Sequence, residues 1–168
     1  MRQDDASARE GLGDGLRLAL YQPDIAQNTG AAIRLAAGLG VALDVIGPTG
    51  FIWRPADLRR ITMDYADLAR IERHDGWQSF RRATAGRRLI VLTTQADRPY
   101  ATFDFWADDI LLVGRESAGV PAEVHDAATA RLCVPMTASA RSLNVVAAAA
   151  MVLGEALRQT RWRDHAGE

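Results

Sequence analysis

Short apolar runs alternate along this chain with helix-length segments, and turn-forming residues separate them. Leu16–Tyr21, Val41–Ile46, Arg88–Thr94, Ile110–Val113 and Ala130–Val134 each carry a brief aliphatic run, as expected of strands buried in a parallel sheet. Asn28–Gly38 places Ile33, Leu35 and Ala36, with Leu39 just beyond, at helical spacing, and Asn28 or Thr29 could cap that helix. Pro55–Arg60 and Trp77–Ala83 read as shorter helices, and Pro121 suits the first turn of a helix carrying Glu123 to Ala128. Asn144–Gln159 is the last helix, and Tyr65–Ile71 reads as a strand or an irregular segment. The pattern predicts an α/β fold: a mostly parallel sheet with helices on both faces.

Two consequences follow for function. Ligands in such sheets bind beyond the carboxyl ends of the strands, where Thr93–Asp97, Gly114–Gly119 and Pro135–Asn144 all fall. The last helix is apolar on more than one face, through Val145, Val146, Ala148, Ala149, Val152 and Leu153. It therefore needs a cover besides the sheet, and a second subunit is the economical candidate.

A length of 168 residues suits one domain with a real core. Polar residues 1–15, with glycines near their end, read as a flexible lead-in, residues 16–163 as the domain and 164–168 as a flexible tail. All twenty basic residues are Arg, against twenty-one acidic ones, for a formal charge of -1. The balance itself neither demands nor excludes a nucleic acid. Arg54, Arg59, Arg60, Arg70, Arg73 and His74 cluster, although solvated helix faces would account for many of them. Neither a signal peptide nor a run of about 18 uncharged apolar residues is present, so the expectation is a cytoplasmic chain with no membrane partner.

Several chemistries lack their residues. The single cysteine, Cys133, lies between Leu132 and Val134 and reads as a buried thiol, and His74, His125 and His165 stand apart without metal-ligand spacing, so no metal is expected. There are no dinucleotide-fingerprint glycines after Ile46, no Lys for a Walker loop, and no glycine-flanked nucleophile turn around Ser142. Glycine-rich loops without a phosphate-grasping lysine remain. They suit a ligand recognised through backbone groups, or a structural knot of turns.

Three stretches carry a family resemblance: Asn28–Arg34 (NTGAAIR), Gly114–Pro121 (GRESAGVP) and Val134–Asn144 (VPMTASARSLN). They resemble the three motifs of the SpoU/TrmH-type RNA ribose 2'-O-methyltransferases of the SPOUT superfamily, and the likeness runs from Leu16 to Trp162. Met63-Asp64-Tyr65, the His74 to Phe80 stretch, Leu92-Thr93-Thr94 and Pro135-Met136 are most similar to the branch that acts on the tRNA wobble nucleotide. The resemblance implies a deep C-terminal trefoil knot, a homodimer, a tRNA substrate and S-adenosylmethionine as cofactor. The cofactor would be held by Thr93, Thr94, Gln95, Gly114, Glu116, Gly119, Val134, Met136, Ser142 and Asn144.

By the same resemblance Arg34 is the catalytic residue, with Asn28, Glu116, Ser142 and Asn144 around it. A guanidinium keeps its proton, so Arg34 is better read as orienting the ribose-phosphate and stabilising charge on the oxygen than as a base. Arg34, Arg54, Arg59, Arg60, Arg73 and Arg141 are candidate RNA contacts, with Trp53 or Tyr65 as stacking partners. Arg115 stands where the family often has proline, and Val145-Val146-Ala147 where the wobble branch is more polar. Methylation at another tRNA or rRNA position, and a non-catalytic knotted RNA-binding protein, remain alternatives.

Overall fold

The computed structural model describes residues 15–62, 65, 67 and 69–162. Among the described residues six strands form one sheet: β1 (Arg17–Tyr21), β2 (Ala42–Ile46), β3 (Ile71–His74), β4 (Leu89–Leu92), β5 (Ile110–Val113) and β6 (Ala130–Leu132). Their order is β3-β2-β1-β5-β4-β6, and every pairing is parallel. Among the described residues five α-helices follow strands of this sheet: α1 (Ala26–Leu39), α2 (Pro55–Thr62), α3 (Trp77–Ala83), α4 (Ala122–Ala127) and α5 (Val145–Thr160).

Strands β1, β2, β4 and β5 are buried because both of their faces are covered. Leu18, Leu20, Leu43, Val45, Leu111 and Val113 point to the face where Ile33 and Ala36 of α1, Leu58 of α2 and Val152, Leu153 and Leu157 of α5 pack. Ala19, Tyr21, Ile46, Val91 and Leu112 point the other way, against Trp77 and Phe80 of α3 and Val124 of α4. Alternate residues of a strand therefore feed two separate cores.

Three expectations shift. Helix α1 begins at Ala26, with Ile25 at its cap position and no side-chain cap, so Asn28 lies inside the first turn and is released for other bonds. The edge strand is Ile71–His74 rather than Tyr65–Ile71, because Leu43, Asp44, Val45 and Ile46 of β2 pair with it in register. Pro121 is the cap of α4 and not in its first turn.

That placement of β3 changes the reading of His74. Buried with the fully buried Asp44, it makes a 2.7 Å contact through Nε2, and Arg17 reaches the same carboxylate at 2.6 and 2.7 Å and Glu72 at 2.9 Å. Asp44, Glu72 and His74 bring ligand-type atoms within 4.8 Å of one another, a grouping that their sequence separation concealed. The Arg17 guanidinium is the cation that meets both carboxylates, and bonding to Asp44 raises its pKa. His125 keeps Nδ1 buried without a partner among the described residues. Residues 1–14 of the lead-in, Met63, Asp64, Arg163, His165 and the tail lie outside the described residues. No helix among the described residues is long and apolar enough to cross a membrane.

Candidate active site at the carboxyl ends of the strands

Strand β1 has β2 on one side and β5 on the other, and the chain leaves β1 and β5 toward helices on opposite faces. A crevice opens between two such exits. The β5 exit is a tight loop: Arg115 N–H donates to the Gly119 carbonyl at 3.1 Å, and Gly119 N–H to the Arg115 carbonyl at 2.9 Å. Gly119 has a φ of 65°, and a Cβ on Gly114 would lie 2.5 Å from the Gly119 carbonyl carbon. Both glycines are thus required by the turn itself.

Side chains tie this loop to the other two motifs. Glu116 accepts from the Asp24 backbone N–H at 3.2 Å and from the Asn28 amide at 3.1 Å, and its own N–H donates to Asp24 at 3.2 Å. Ser117 donates its hydroxyl to the other Asp24 oxygen. Asn144 donates to the Asn28 side-chain oxygen at 3.2 Å, while its own oxygen caps α5 by accepting from Val146 at 2.9 Å and Ala147 at 3.3 Å. The first turn of α1, the β5 loop and the start of α5 are thereby joined through a line of bonds, Glu116 to Asn28 to Asn144. Bonding to the Glu116 side chain and then to Ser117 holds Asp24 down to about 2. Burial first, and then the Asp24 carboxyl, pushes Glu116 above the ordinary carboxylate value.

Beside this relay lies a cleft of about 430 Å³ whose lining includes Asn28, Thr93, Thr94, Gly114, Glu116, Gly119, Val134, Met136, Ser142 and Asn144. Residues 15–154 match the SpoU rRNA Methylase family. The chain belongs to the SpoU rRNA methylase family. It is 54% identical over 144 residues to the tRNA (cytidine(34)-2'-O)-methyltransferase of Beijerinckia indica, covering 84% of this chain and 90% of that protein. A solved structure described by the 2-OH methylation of C/U34 on tRNA matches with a TM-score of 0.82 and 36% identity, covering 87% of this chain and 96% of that one. An AdoMet-bound rRNA methyltransferase from Sinorhizobium meliloti matches with a TM-score of 0.78 and 28% identity over 88% of this chain and 57% of that one. Sequence and fold both match the TrmL-type wobble methyltransferases within the SpoU family, and the sheet with helices on both faces is consistent with the α/β-knot fold.

Among the residues expected at a SpoU methylase site, the cleft gathers Asn28, Glu116, Ser142 and Asn144 with six of the other cofactor candidates. Gln95 is not among its lining residues; it borders a neighbouring cavity with Arg98, His125 and Arg131. Arg34 and Arg141 do not line the cleft either. Arg34 follows Asn28 by six residues, so its side chain leaves α1 about 120° away around the helix axis. It stands half-buried on the outward side with Ala31 and Gly38, and makes no hydrogen bond or ion pair among the described residues. Arg54, Arg59, Arg60 and Arg73 are exposed on or near α2 and β3.

Sequence reasoning missed Asp24 and Arg115, which lies in the lining with its guanidinium 5.8 Å from the Tyr21 ring centroid. The available signal for Asp24 was its place in the short polar loop between a strand and a helix start.

Proposed function

We propose that this protein transfers the methyl group of S-adenosylmethionine to the ribose 2'-hydroxyl of the wobble nucleotide of tRNA, a cytidine or a modified uridine. The observation that carries the reading is the Glu116–Asn28–Asn144 relay, which joins all three motifs along one cleft. The cleft fits the cofactor: its volume of about 430 Å³ falls in the range for small-molecule sites, with apolar walls at Leu92, Val113 and Val134 and polar groups at Thr93, Thr94 and Ser142. The residues that would hold it are Thr93, Thr94, Gly114, Glu116, Gly119, Val134, Met136, Ser142 and Asn144, with Gln95 at the margin. When bound, S-adenosylmethionine supplies a methyl group already activated by its sulfonium, so the reading includes no metal.

The remaining work falls to positioning and charge. Asn28, Glu116 and Asn144 fix the loops, and Ser142 offers a hydroxyl to cofactor or ribose. Arg34 orients the ribose-phosphate and stabilises the oxygen as negative charge develops, while the proton leaves to water or phosphate. Arg34 reaches the site as one face of a homodimer, whose second copy covers the outward sides of α1 and α5. Met151, a large apolar residue of α5 left exposed at 44%, supports that cover. Arg54, Arg59, Arg60, Arg73 and Arg141 take RNA phosphates, and residues 16–163 act as one domain.

The test is methyl transfer from labelled S-adenosylmethionine to tRNA lacking its own modification. Nuclease mapping is expected to place the label on the wobble ribose; a label on a base or another nucleotide would exclude the assignment. Arg34→Ala is expected to abolish turnover while retaining fold and cofactor binding, and a near-normal single-turnover rate would remove Arg34 from the catalytic role.

A further inference from the structure

A second cavity of about 290 Å³ lies between α2 and the loop after β2. Its walls are Phe51, Ile52, Leu58 and Ile61, Ala26 closes one side, and Arg54 and Asp57 are its charged groups. Ile25 lines the cleft described above and Ala26 lines this cavity, so consecutive residues, about 3.8 Å apart at Cα, divide the two. A nucleotide that straddles this divide sets its ribose at the cleft and its base in the cavity.

The cavity is braced before any ligand arrives. Thr49 donates its hydroxyl to the Phe51 carbonyl at 2.7 Å, and Gly50 N–H donates to the Pro23 carbonyl at 2.9 Å. Gly50 also lies so close to Asp24 that a Cβ there would approach the Asp24 Cβ to 2.6 Å. Phe51 stacks on Trp53 at 6.2 Å and 23°, and the Arg73 guanidinium covers Trp53 at 4.7 Å. Trp53 is therefore occupied, and Phe51 and Ile52 are the apolar groups on offer, Ile52 being 73% exposed. An apolar side chain held outward on a fixed loop has already lost the freedom that binding would otherwise cost. The side chains of Arg54 and Asp57 make no hydrogen bond or ion pair among the described residues and are open to a ligand.

We propose that this cavity receives the base of the nucleotide being methylated and that Asp57 selects cytosine there; the proposal rests on the methyltransferase reading above. A carboxylate accepts from the exocyclic amine of cytosine, whereas uracil would present a carbonyl oxygen to it. Apolar walls suit an unstacked base, and Arg54 supplies a planar cation for its edge or the adjoining phosphate. A helix-dipole role for Asp57, in the first turn of α2, would affect stability without distinguishing the two bases.

Two measurements on the full-length protein decide it. tRNA carrying 5-iodocytidine at the wobble position is irradiated with the protein and the adduct mapped. Attachment within residues 51–61 is expected, and attachment confined to other peptides overturns the proposal. This arm needs no turnover, so a protein that crosslinks here but transfers no methyl group would sink the methyltransferase reading alone. The second compares kcat/KM for tRNAs differing only in C or U at that position. Wild type is expected to prefer C by about tenfold, and Asp57→Asn to bring the ratio near one with S-adenosylmethionine affinity unchanged. A preference that survives Asp57→Asn in a folded protein overturns the selection by Asp57.

Discussion

Glu116 holds three partners from a half-buried position: the Asp24 N–H, the Asn28 amide and, through its own N–H, the Asp24 carboxylate. Two carboxyls this close titrate as a pair. Glu116, raised by burial and by Asp24, is the one that keeps a proton longer. Its folded pKa lies above its unfolded value, so its contribution to stability is fully present below the unfolded value near 4.5 and is lost as pH rises through the raised folded one. Asp24 behaves oppositely, contributing above 3.8 and losing that contribution as pH falls through about 2. Glu116→Gln removes the first titration. The stability of the variant relative to wild type is therefore expected to improve between pH 4.5 and pH 7, read by denaturant unfolding at each pH. A difference that stays flat over that interval, or moves the other way, would contradict the assigned shift.

At the scale of elements, the glycine of the first motif serves helix packing. A Cβ on Gly30 would come within 2.0 Å of Ile61 Cγ2, so α1 and α2 pack through that gap. The bare helix preference gains about 1 kcal/mol from Gly→Ala, but overpacking a tight contact costs about 1–3 kcal/mol. Gly30→Ala is thus expected to destabilise the protein, and Ile61→Ala in the same chain to reverse most of the loss. A stabilised single variant would show that α2 yields freely. Because α2 also walls the second cavity, the same substitution is expected to weaken RNA binding more than cofactor binding.

Across the whole molecule, the placement of Arg34 matters most. Asn28 and Arg34 share one short motif, yet the helix turns them about 120° apart, and only Asn28 lines the cleft. The homodimer proposed above resolves this if Arg34 serves the site of the partner. Mixed dimers of Arg34→Ala with Asn144→Ala chains then contain one site with both defects and one with neither. Such mixtures are expected to recover up to about half of the wild-type activity per mixed dimer, whereas either variant alone stays inactive. Mixtures no more active than their parents would place Arg34 in the site of its own chain.

The pattern of apolar residues, with Pro55 and Pro121 as helix-start signals, determined the α/β class and, among the described residues, five of the six strands and the five α-helices, because burial on two faces leaves a local trace in the chain. The pattern also placed Gly114 at a strand end and Asn28 and Asn144 at helix starts, and the family resemblance is what marked these three stretches as motifs. Only the fold decided that Ile71–His74 is a strand, since that segment owes its conformation to the register with β2. The buried contacts of Arg17, Asp44 and His74, and the joining of Asp24 to Glu116 across 92 positions, were likewise settled in three dimensions. So was the separation of Arg34 from the cleft. Such pairings depend on which loops the sheet brings side by side, and a linear pattern holds no term for contacts that form only after the chain has closed on itself.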